Sequence, residues 1–359
     1  MNVLVVNPIM YTSETKTIKR AESVKDSMIY DLCLAFADCG HKVTVFAAEP
    51  YKPTRQEEYP FEIVWGRCAF QSVCLPHCFP YMPELTRYIR IHKELDLIIT
   101  GEVFSLNSLN AVFAANKKVI IWHELAKHNA LFKQMPSKIW YNIVARAFMR
   151  NTCVVARSEE ARKFISKYCR MTKEYSIDHG VNLDKFQPCE EKDDYFVVCS
   201  QLIARKRIDG ILYRFKDYIE RTGNSTKLYV IGDGLLRKEL EKLTEGLNLN
   251  ASVVFTGKMT HGELLPYLAR AKALLINTEK DNSMISIVES IAVGTPVVTT
   301  DVPLNSSYIK QYSLGIVGDW TERDLEMISK DSARYVRNCL NYRESLSTKS
   351  NVERFVNIL

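Results

Sequence analysis

Two carboxylates, Asp281 and Glu289, stand eight residues apart in the stretch DNSMISIVESIAVGTPVV. The apolar residues between them have helical spacing, so the sequence predicts a helix that begins between Ser283 and Ser286 and stops at Gly294. The first backbone N–H groups of such a helix have no partner within it, and the helix dipole favours an anion there. Asp281 therefore lies just before a predicted phosphate site, and Glu289 lies inside the helix.

A second interpretation of Glu289 is purely structural. Ser286 and Glu289 have the spacing of a capping box, in which the glutamate accepts a hydrogen bond from a backbone N–H at the start of the helix. The spacing alone favours neither interpretation.

A long polar loop, NPIMYTSETKTIKRAESVKD, follows the first predicted strand and carries Lys16, Lys19 and Arg20. Long loops inside compact domains are usually functional or disordered, and open α/β sheets bind ligands at the carboxyl ends of their strands. We therefore expect these three cations to contact an acceptor or a phosphate group.

Short apolar runs alternate with longer helical patterns along the chain. They include NVLVVN, KVTVFAA, LDLIIT and KVIIW, and after IDHGVNLDKFQP the pattern restarts with YFVVCS, KLYVIGDG, ASVVFTG, ALLINT and PVVTT. Such alternation predicts βαβ units and parallel sheets. The predicted fold class is α/β, with two doubly wound, Rossmann-like domains at residues 1–172 and 173–330. Residues 331–359 are predicted to be helical and either to cap the fold or to cross back onto the first domain.

The composition, with 47% hydrophobic and 25% charged residues among 359, is that of a folded globular protein of about two domains. Charge is unevenly distributed. Residues 1–170 contain 23 Lys and Arg against 16 Asp and Glu, a balance of +7, whereas the remainder is close to neutral. This asymmetry favours an acidic partner, such as a phosphate-bearing molecule, an anionic membrane or nucleic acid.

Location and metal content are predicted from what the sequence lacks. The start MNVLVVN has no basic leader, and no apolar run approaches the roughly 18 residues of a membrane span, so we expect a cytoplasmic protein. Ten scattered cysteines favour reduced thiols. Cys68, Cys74, His77 and Cys78 lie within eleven residues, but paired C-x-x-C knuckles are missing, so packed or exposed thiols are favoured over zinc.

Several motifs together resemble one family. The segments IDHGVNLDKFQP, SQLIARKRIDGIL, VIGDGLLRKEL and VVFTGKMTHGELLPYLARAKALLINT, with the carboxylate pair, resemble the donor domain of family-four retaining glycosyltransferases. The likeness extends over nearly the whole chain and implies the GT-B architecture, in which two Rossmann-like domains face a cleft. VIGDG alone is a poor dinucleotide fingerprint, because Arg237 stands where a third glycine is usual.

The resemblance also implies roles for the opening stretch. Asp281 would contact the hydroxyl groups of the transferred sugar, and Glu289 would hold the ribose of the nucleotide. The turn formed by Ser283, Met284 and Ile285 would place its amides against the sugar and diphosphate. Here the family's usual glycine-phenylalanine-glycine is replaced by Asn-Ser-Met, and its first glutamate by aspartate.

Basic residues and a histidine complete the implied site. Lys206 matches the lysine that neutralises the leaving diphosphate, and we expect it to be exposed. His123 matches the histidine that reaches the reacting sugar from the first domain, although a histidine at a strand end is otherwise a satisfied loop residue. Gln201 stands where the family has an arginine, and either Arg205 or Arg207 is expected to supply the missing charge.

The function implied is that of a metal-independent, cofactor-free retaining hexosyltransferase. It would move a sugar from a nucleotide diphosphate sugar to a hydroxyl of a glycan or glycolipid, in cell-surface polysaccharide or glycolipid synthesis. Its basic first domain suggests peripheral contact with an anionic membrane at the inner face, and nucleic acid is not expected as a partner. Two alternatives stay open: a catalytically weakened GT-B protein that binds a nucleotide or a partner, and a nucleotide-sugar epimerase.

Overall fold

The computed structural model describes residues 1–10, 21–70, 80–129 and 131–358. The chain divides into two compact units. The first contains Met1–Asn182 and Thr348–Leu359, and the second contains Leu183–Ser347.

The first unit is built on a sheet of seven parallel strands within the described residues, in the order β3-β2-β1-β4-β5-β6-β7. Most of these strands are rich in Val and Ile and buried, as expected for a parallel sheet covered on both faces. The strands are β1 (Asn2–Val6), β2 (Lys42–Ala48), β3 (Glu62–Gly66), β4 (Leu97–Gly101), β5 (Val119–His123), β6 (Cys153–Ala156) and β7 (Thr172–Ser176). The described helices are Met28–Asp38, Glu84–Ile91, Leu106–Ala115, Met135–Ile139, its π-helical continuation Trp140–Met149, Glu159–Ile165 and Thr348–Val356.

The second unit repeats this plan with six parallel strands, in the order β10-β9-β8-β11-β12-β13. The strands are β8 (Tyr195–Cys199), β9 (Lys227–Ile231), β10 (Val253–Gly257), β11 (Leu274–Leu275), β12 (Val297–Thr299) and β13 (Gly315–Val317). The helices are Ile208–Thr222, Arg237–Gly246, His261–Arg270, Ile285–Ala292, Ser306–Gln311, Glu322–Lys330 and Ser332–Tyr342. Short 3-10 turns in the two units are Val24–Asp26, Glu49–Tyr51, Asn116–Lys118, Leu131–Gln134, Leu183–Lys185, Ala204–Lys206 and Arg343–Leu346.

The unit boundaries differ from the sequence prediction at both ends. The first unit extends past residue 172 to Asn182, because Thr172–Ser176 adds the seventh strand to its sheet. Of the predicted terminal segment 331–359, only the part from Thr348 belongs to the first unit, where the ring of Phe355 packs against Trp122. The helix Ser332–Tyr342 belongs to the second unit instead, because it buries one face there.

Each sheet has one point at which the strand order reverses. It lies between β1 and β4 in the first unit and between β8 and β11 in the second. Loops that leave the carboxyl ends of such a strand pair run in opposite directions and open a crevice for a ligand. In the second unit these loops are residues 200–207 and 276–284, which contain most of the predicted donor site.

None of the helices in the described part of the chain is long and apolar enough to cross a membrane.

Candidate functional site

The two loops at the reversal point of the second sheet bring Asp281 between two cations. Its Oδ1 accepts a hydrogen bond from Arg205 Nη1 at 2.7 Å, and its Oδ2 accepts one from Lys206 Nζ at 2.8 Å. The hydroxyl of Thr278 donates to the same Oδ2 at 2.6 Å. Residues that are 75 positions apart in sequence therefore form one compact cluster, which we call the Asp281 cluster.

Backbone contacts hold the cluster in place. The N–H of Glu279 donates to the carbonyl of Arg205 at 2.8 Å, and Thr278 Oγ1 lies 3.1 Å from the same carbonyl. Arg205 Nη1 also donates to the carbonyl of Lys280 at 2.8 Å. Because both loops are fixed to each other through their backbones, the positions of the two cations are set before any ligand binds.

Lys206 and Asp281 of this cluster are largely removed from water, whereas the Arg205 side chain is 33% exposed. Lys206 is 8% exposed, so the expectation of an exposed lysine was wrong. Burial opposes ionisation of Asp281, but the hydrogen bonds from Lys206 and Thr278 and the charge of Lys206 outweigh it, and the pKa of this carboxyl falls below its usual value. Asp281 is therefore an ionised carboxylate at neutral pH.

Arg205 and Arg207 have different surroundings, although both were expected to replace the charge missing at Gln201. Arg205 joins the Asp281 cluster. Arg207 has a left-handed backbone with φ of 46° and is paired with Asp209 and Glu279. Gln201 is exposed at the start of the loop after β8. Of these three residues, Arg205 is therefore the one that lies in the Asp281 cluster beside Lys206.

The second carboxylate, Glu289, lies inside the helix Ile285–Ala292 and is 7% exposed. Met284 is the N-cap residue of this helix and no side chain caps it, so Ser286 and Glu289 do not form a capping box. Instead, Glu289 Oε1 lies 2.7 Å from Nε2 of His261. The structural interpretation of Glu289 by capping is thus wrong, and its partner His261 was not predicted.

The turn before this helix differs in one respect from what the resemblance implies. The backbone N–H of Met284 donates a hydrogen bond to Oδ1 of Asn305. This N–H is therefore already engaged and is not free to bind a sugar or a diphosphate. Ile285 is the first residue of the helix. The hydroxyl oxygen of Ser283 is buried and has no hydrogen-bond partner among the described residues. A polar ligand at this turn would supply the partner that Ser283 lacks.

The glycines of the GDG motif allow the loop after β9 to pack closely against the loop after β8. A Cβ atom on Gly232 would lie 1.9 Å from the carbonyl oxygen of Ser200, and its φ is 137°. A Cβ atom on Gly234 would lie 2.4 Å from the carbonyl oxygen of Leu202. The glycines are therefore needed for close packing of this loop against the loop after β8.

In the first unit, His123 ends β5 and is fully buried beside a carboxylate that the sequence analysis missed. Its Nδ1 lies 2.8 Å from Oε2 of Glu102, and the N–H of Val103 donates to the same Nδ1 at 3.5 Å. The Nε2 atom of the same ring is buried and has no hydrogen-bond partner among the described residues. Glu102 follows β4 directly and has a backbone φ of 66°. Its position immediately after a predicted strand is the sequence feature that could have identified it as a site residue.

The ionisation state of Glu102 follows from its neighbours. Burial raises its pKa, but the adjacent His123, the N–H of Glu124 and the charge of Arg157 lower it more, so the net pKa lies below the usual value. A carboxylate held this close to Nδ1 restricts the orientation of a histidine ring. Glu102 is therefore suited to position His123.

Some predicted residues lie outside the described part of the chain: Lys16, Lys19 and Arg20 of the basic loop, and Cys74, His77 and Cys78 of the considered zinc group. Among the residues that are described, no group of three or more His, Cys, Asp or Glu side chains is arranged to hold a metal ion.

Two family models match the chain. The model described as "Glycosyl transferases group 1" matches residues 182–351, and the model described as "Glycosyltransferase Family 4" matches residues 27–185. Their division falls close to the boundary of the two units.

Individual proteins are similar at lower identity. The alpha-monoglucosyldiacylglycerol synthase of Streptococcus pneumoniae is 26% identical over 62% of this chain and 55% of its own length. The poly(ribitol-phosphate) alpha-N-acetylglucosaminyltransferase of Staphylococcus aureus is 23% identical over 44% of this chain and 34% of its own length. The structure of Anabaena HepE in complex with UDP superimposes with a TM-score of 0.69 at 15% identity and covers all of both chains. This chain therefore matches only about half or less of the length of these two curated relatives, and it shares the fold of HepE throughout.

Proposed function

The chain belongs to the family-four glycosyltransferases with the GT-B fold, and on that basis we propose that it transfers a hexose from a nucleoside diphosphate sugar to an acceptor hydroxyl with retention of configuration. The observation that supports this most directly is the Asp281 cluster. It places Arg205 and Lys206 on either side of one carboxylate at the reversal point of a parallel sheet.

The two cations suit the departing diphosphate. Negative charge develops on the leaving oxygens as the sugar bond breaks, and fixed charges held away from water stabilise it without further reorganisation. Hydrogen bonds hold Lys206 and Arg205 in place, and Lys206 is also buried, so we propose that they neutralise the diphosphate in place of a metal ion. Glu289 would accept hydrogen bonds from the ribose hydroxyls, and Asp281 would accept them from the sugar.

Retention is proposed without a covalent sugar intermediate on the protein. Asp281 shares its oxygens with Arg205, Lys206 and Thr278, and a carboxylate held by three donors is a weak nucleophile. The leaving phosphate itself would then help to deprotonate the acceptor on the same face of the sugar. Both curated relatives described above are named for products with an alpha linkage.

In the first unit we propose that His123 contacts the reacting sugar and that Glu102 positions its ring. The Nε2 atom of His123 has no hydrogen-bond partner among the described residues, and a sugar hydroxyl would supply one. His123 is fully buried, so this contact requires local opening of the surrounding loops.

The acceptor is proposed to be a glycolipid or a phosphate-bearing glycan. The first 170 residues carry a charge balance of +7, which suits an acidic polymer or a membrane surface that presents lipid acceptors. One relative is named for a diacylglycerol product and another for a ribitol-phosphate polymer. A role in cell-surface glycan or glycolipid synthesis, at the cytoplasmic face of a membrane, follows from this proposal.

The proposal is tested with a panel of donors. Melting curves with UDP-, GDP-, ADP- and TDP-sugars should identify one preferred base, since a ligand at 100 times its dissociation constant adds about 2.7 kcal/mol to stability. The preferred donor should then be hydrolysed slowly without acceptor. Binding without any hydrolysis or transfer would favour a catalytically weakened binding protein, and a changed free nucleotide sugar would favour an epimerase.

A matched pair of variants tests the site itself. Arg205→Gln should weaken the binding of the nucleoside diphosphate, because it removes one of the two cations of the Asp281 cluster. Arg207→Gln removes an equal charge two residues away, from a side chain paired with Asp209 and Glu279. Equal losses of affinity in the two variants would contradict the proposed diphosphate site, because a general loss of positive charge would then suffice.

A further inference from the structure

The helical segment 135–149 of the first unit exposes a row of apolar side chains. Met135, Ile139 and Ile143 recur every fourth residue and are 54%, 50% and 61% exposed. The same helical segment carries Phe148, which pairs with Phe113 at a ring-centroid distance of 5.4 Å, and both residues are more than half exposed. Single exposed apolar residues are ordinary, but a contiguous group marks an interaction surface.

The opposite side of the same helical segment packs into the core of the first unit. Ser137, Tyr141, Ala145 and Met149 also recur every fourth residue, and each is almost completely buried. The exposed row is therefore a second apolar stripe, which the core of the first unit does not use. A helix with two apolar stripes leaves one of them for a partner outside the unit.

Charge indicates what kind of partner fits this stripe. Residues 125–158 contain no Asp or Glu but include six cationic residues. Those exposed within or next to the helical segment are Lys133, Lys138, Arg146 and Arg150. Apolar side chains bordered by Lys and Arg are the signature of a helix that lies in the interface of an anionic bilayer, where its cations meet the headgroups.

We propose that the exposed face of residues 135–150, with Phe113 beside it, is a membrane-binding surface that inserts its apolar side chains into an anionic lipid bilayer. The inference rests on the proposed membrane-associated function and names the surface responsible. It differs from the contact expected of Lys16, Lys19 and Arg20, because it requires apolar insertion in addition to charge.

The surface is joined to the histidine site of the same unit. Trp140 Nε1 donates to the carbonyl of Val103 at 2.8 Å, in the loop that begins with Glu102. Tyr141, on the buried side, has its ring centroid 6.3 Å from that of His123. A bilayer bound to the exposed face would thus lie against the helix that packs against the Glu102–His123 pair.

A second copy of the chain is a less suitable occupant. In a symmetric dimer the same face would meet itself, so its exposed cations would face one another without compensating acidic residues from this segment. A lipid surface instead supplies the missing negative charge. Self-association of the chain through this face would therefore contradict the proposal.

The test uses sedimentation of the full chain with phosphatidylcholine vesicles that contain or lack phosphatidylglycerol. The combined variant Met135→Gln, Ile139→Gln, Ile143→Gln should bind the anionic vesicles roughly 10-fold or more weakly, because half-exposed apolar side chains lose their transfer into lipid. A matched control removes three exposed apolar side chains elsewhere: Met171→Gln, Val254→Gln and Met327→Gln. Circular dichroism melting verifies that both variants fold.

A charge variant, Lys138→Gln, Arg146→Gln, Arg150→Gln, should lose the preference for anionic vesicles, and binding of the unaltered chain should fall with added salt. The proposal is overturned if the unaltered chain binds no vesicles, or if the apolar variant binds as well as the control. It is equally overturned if the apolar substitutions abolish a dimer seen by light scattering without lipid. Titration with UDP separates the two proposals, since the helix variants should keep the nucleotide affinity of the unaltered chain whatever that affinity is.

Discussion

Replacement of Glu289 by alanine tests whether this carboxylate binds the nucleotide. Glu289 is nearly buried, its Oε1 lies 2.7 Å from His261 Nε2, and it does not cap its helix. A carboxylate placed like this at the carboxyl edge of the sheet is suited to accept hydrogen bonds from the two hydroxyl groups of a ribose. We expect Glu289→Ala to weaken the binding of a free nucleoside diphosphate.

The magnitude follows from the kind of hydrogen bond that is lost. Hydrogen bonds to a charged group contribute about 1.5–3 kcal/mol, so the dissociation constant should rise roughly 10- to 150-fold. Glu289→Gln keeps the side-chain volume and one acceptor oxygen, but it loses the charge and replaces the second acceptor oxygen by an NH2 donor. Its loss of affinity should therefore be smaller, and it separates charge from packing.

The assay is calorimetric titration with the preferred nucleoside diphosphate, with a melting curve for each variant. His261→Ala is the matched control, because it removes the partner of Glu289 and leaves the carboxylate in place. The His261 ring is about half exposed, so its pairing with Glu289 should contribute little to stability. We expect His261→Ala to change the nucleotide affinity much less than Glu289→Ala does.

Two results would contradict the reasoning. A folded Glu289→Ala protein with unchanged nucleotide affinity would show that the carboxylate does not contact the ribose. Equal losses of affinity in Glu289→Ala and His261→Ala would show that the pair acts by holding the local structure. In either case only the residues of the Asp281 cluster would remain as candidates for binding the nucleotide sugar.

Three other substitutions have defined outcomes. Lys206→Met should lower turnover roughly 100-fold or more in a donor hydrolysis assay, because a fixed charge at the leaving group is lost; turnover equal to that of the unaltered chain would exclude this role. Burial and the nearby Arg157 hold the pKa of His179 well below its usual value, so the unfolded chain binds the extra proton as pH falls. The free energy of unfolding should fall by up to about 1.4 kcal/mol per pH unit below about pH 6.5, and denaturant titrations should show a weaker fall in His179→Gln. Gly232→Ala should destabilise the second unit by about 1–3 kcal/mol because its Cβ would meet the carbonyl of Ser200, whereas Gly246→Ala, where the space is open, should not; equal melting temperatures would contradict the required close packing.

The sequence by itself determined the fold class and the position of the helix that contains Glu289. Alternation of Val- and Ile-rich runs with helical patterns was sufficient for two parallel sheets, because buried parallel strands need apolar residues on both faces. The helix start near Ile285 and its end before Gly294 followed from local backbone rules, and Gly294 has a φ of 84°. These features depend on residues close together in the chain, so a linear pattern can predict them.

Contacts between distant residues were decided only by the tertiary structure. Nothing in the spacing of Arg205, Lys206 and Asp281 shows that one carboxylate lies between both cations, since the contact requires two loops from adjacent, non-consecutive strands. The same holds for Glu289, whose partner His261 comes from a different helix, 28 residues earlier in the chain. Glu102 was missed because a carboxylate after a strand becomes notable only when His123, at the end of the adjacent strand, lies beside it. Side-chain partners across a parallel sheet depend on strand order, which the fold sets and local sequence patterns do not specify.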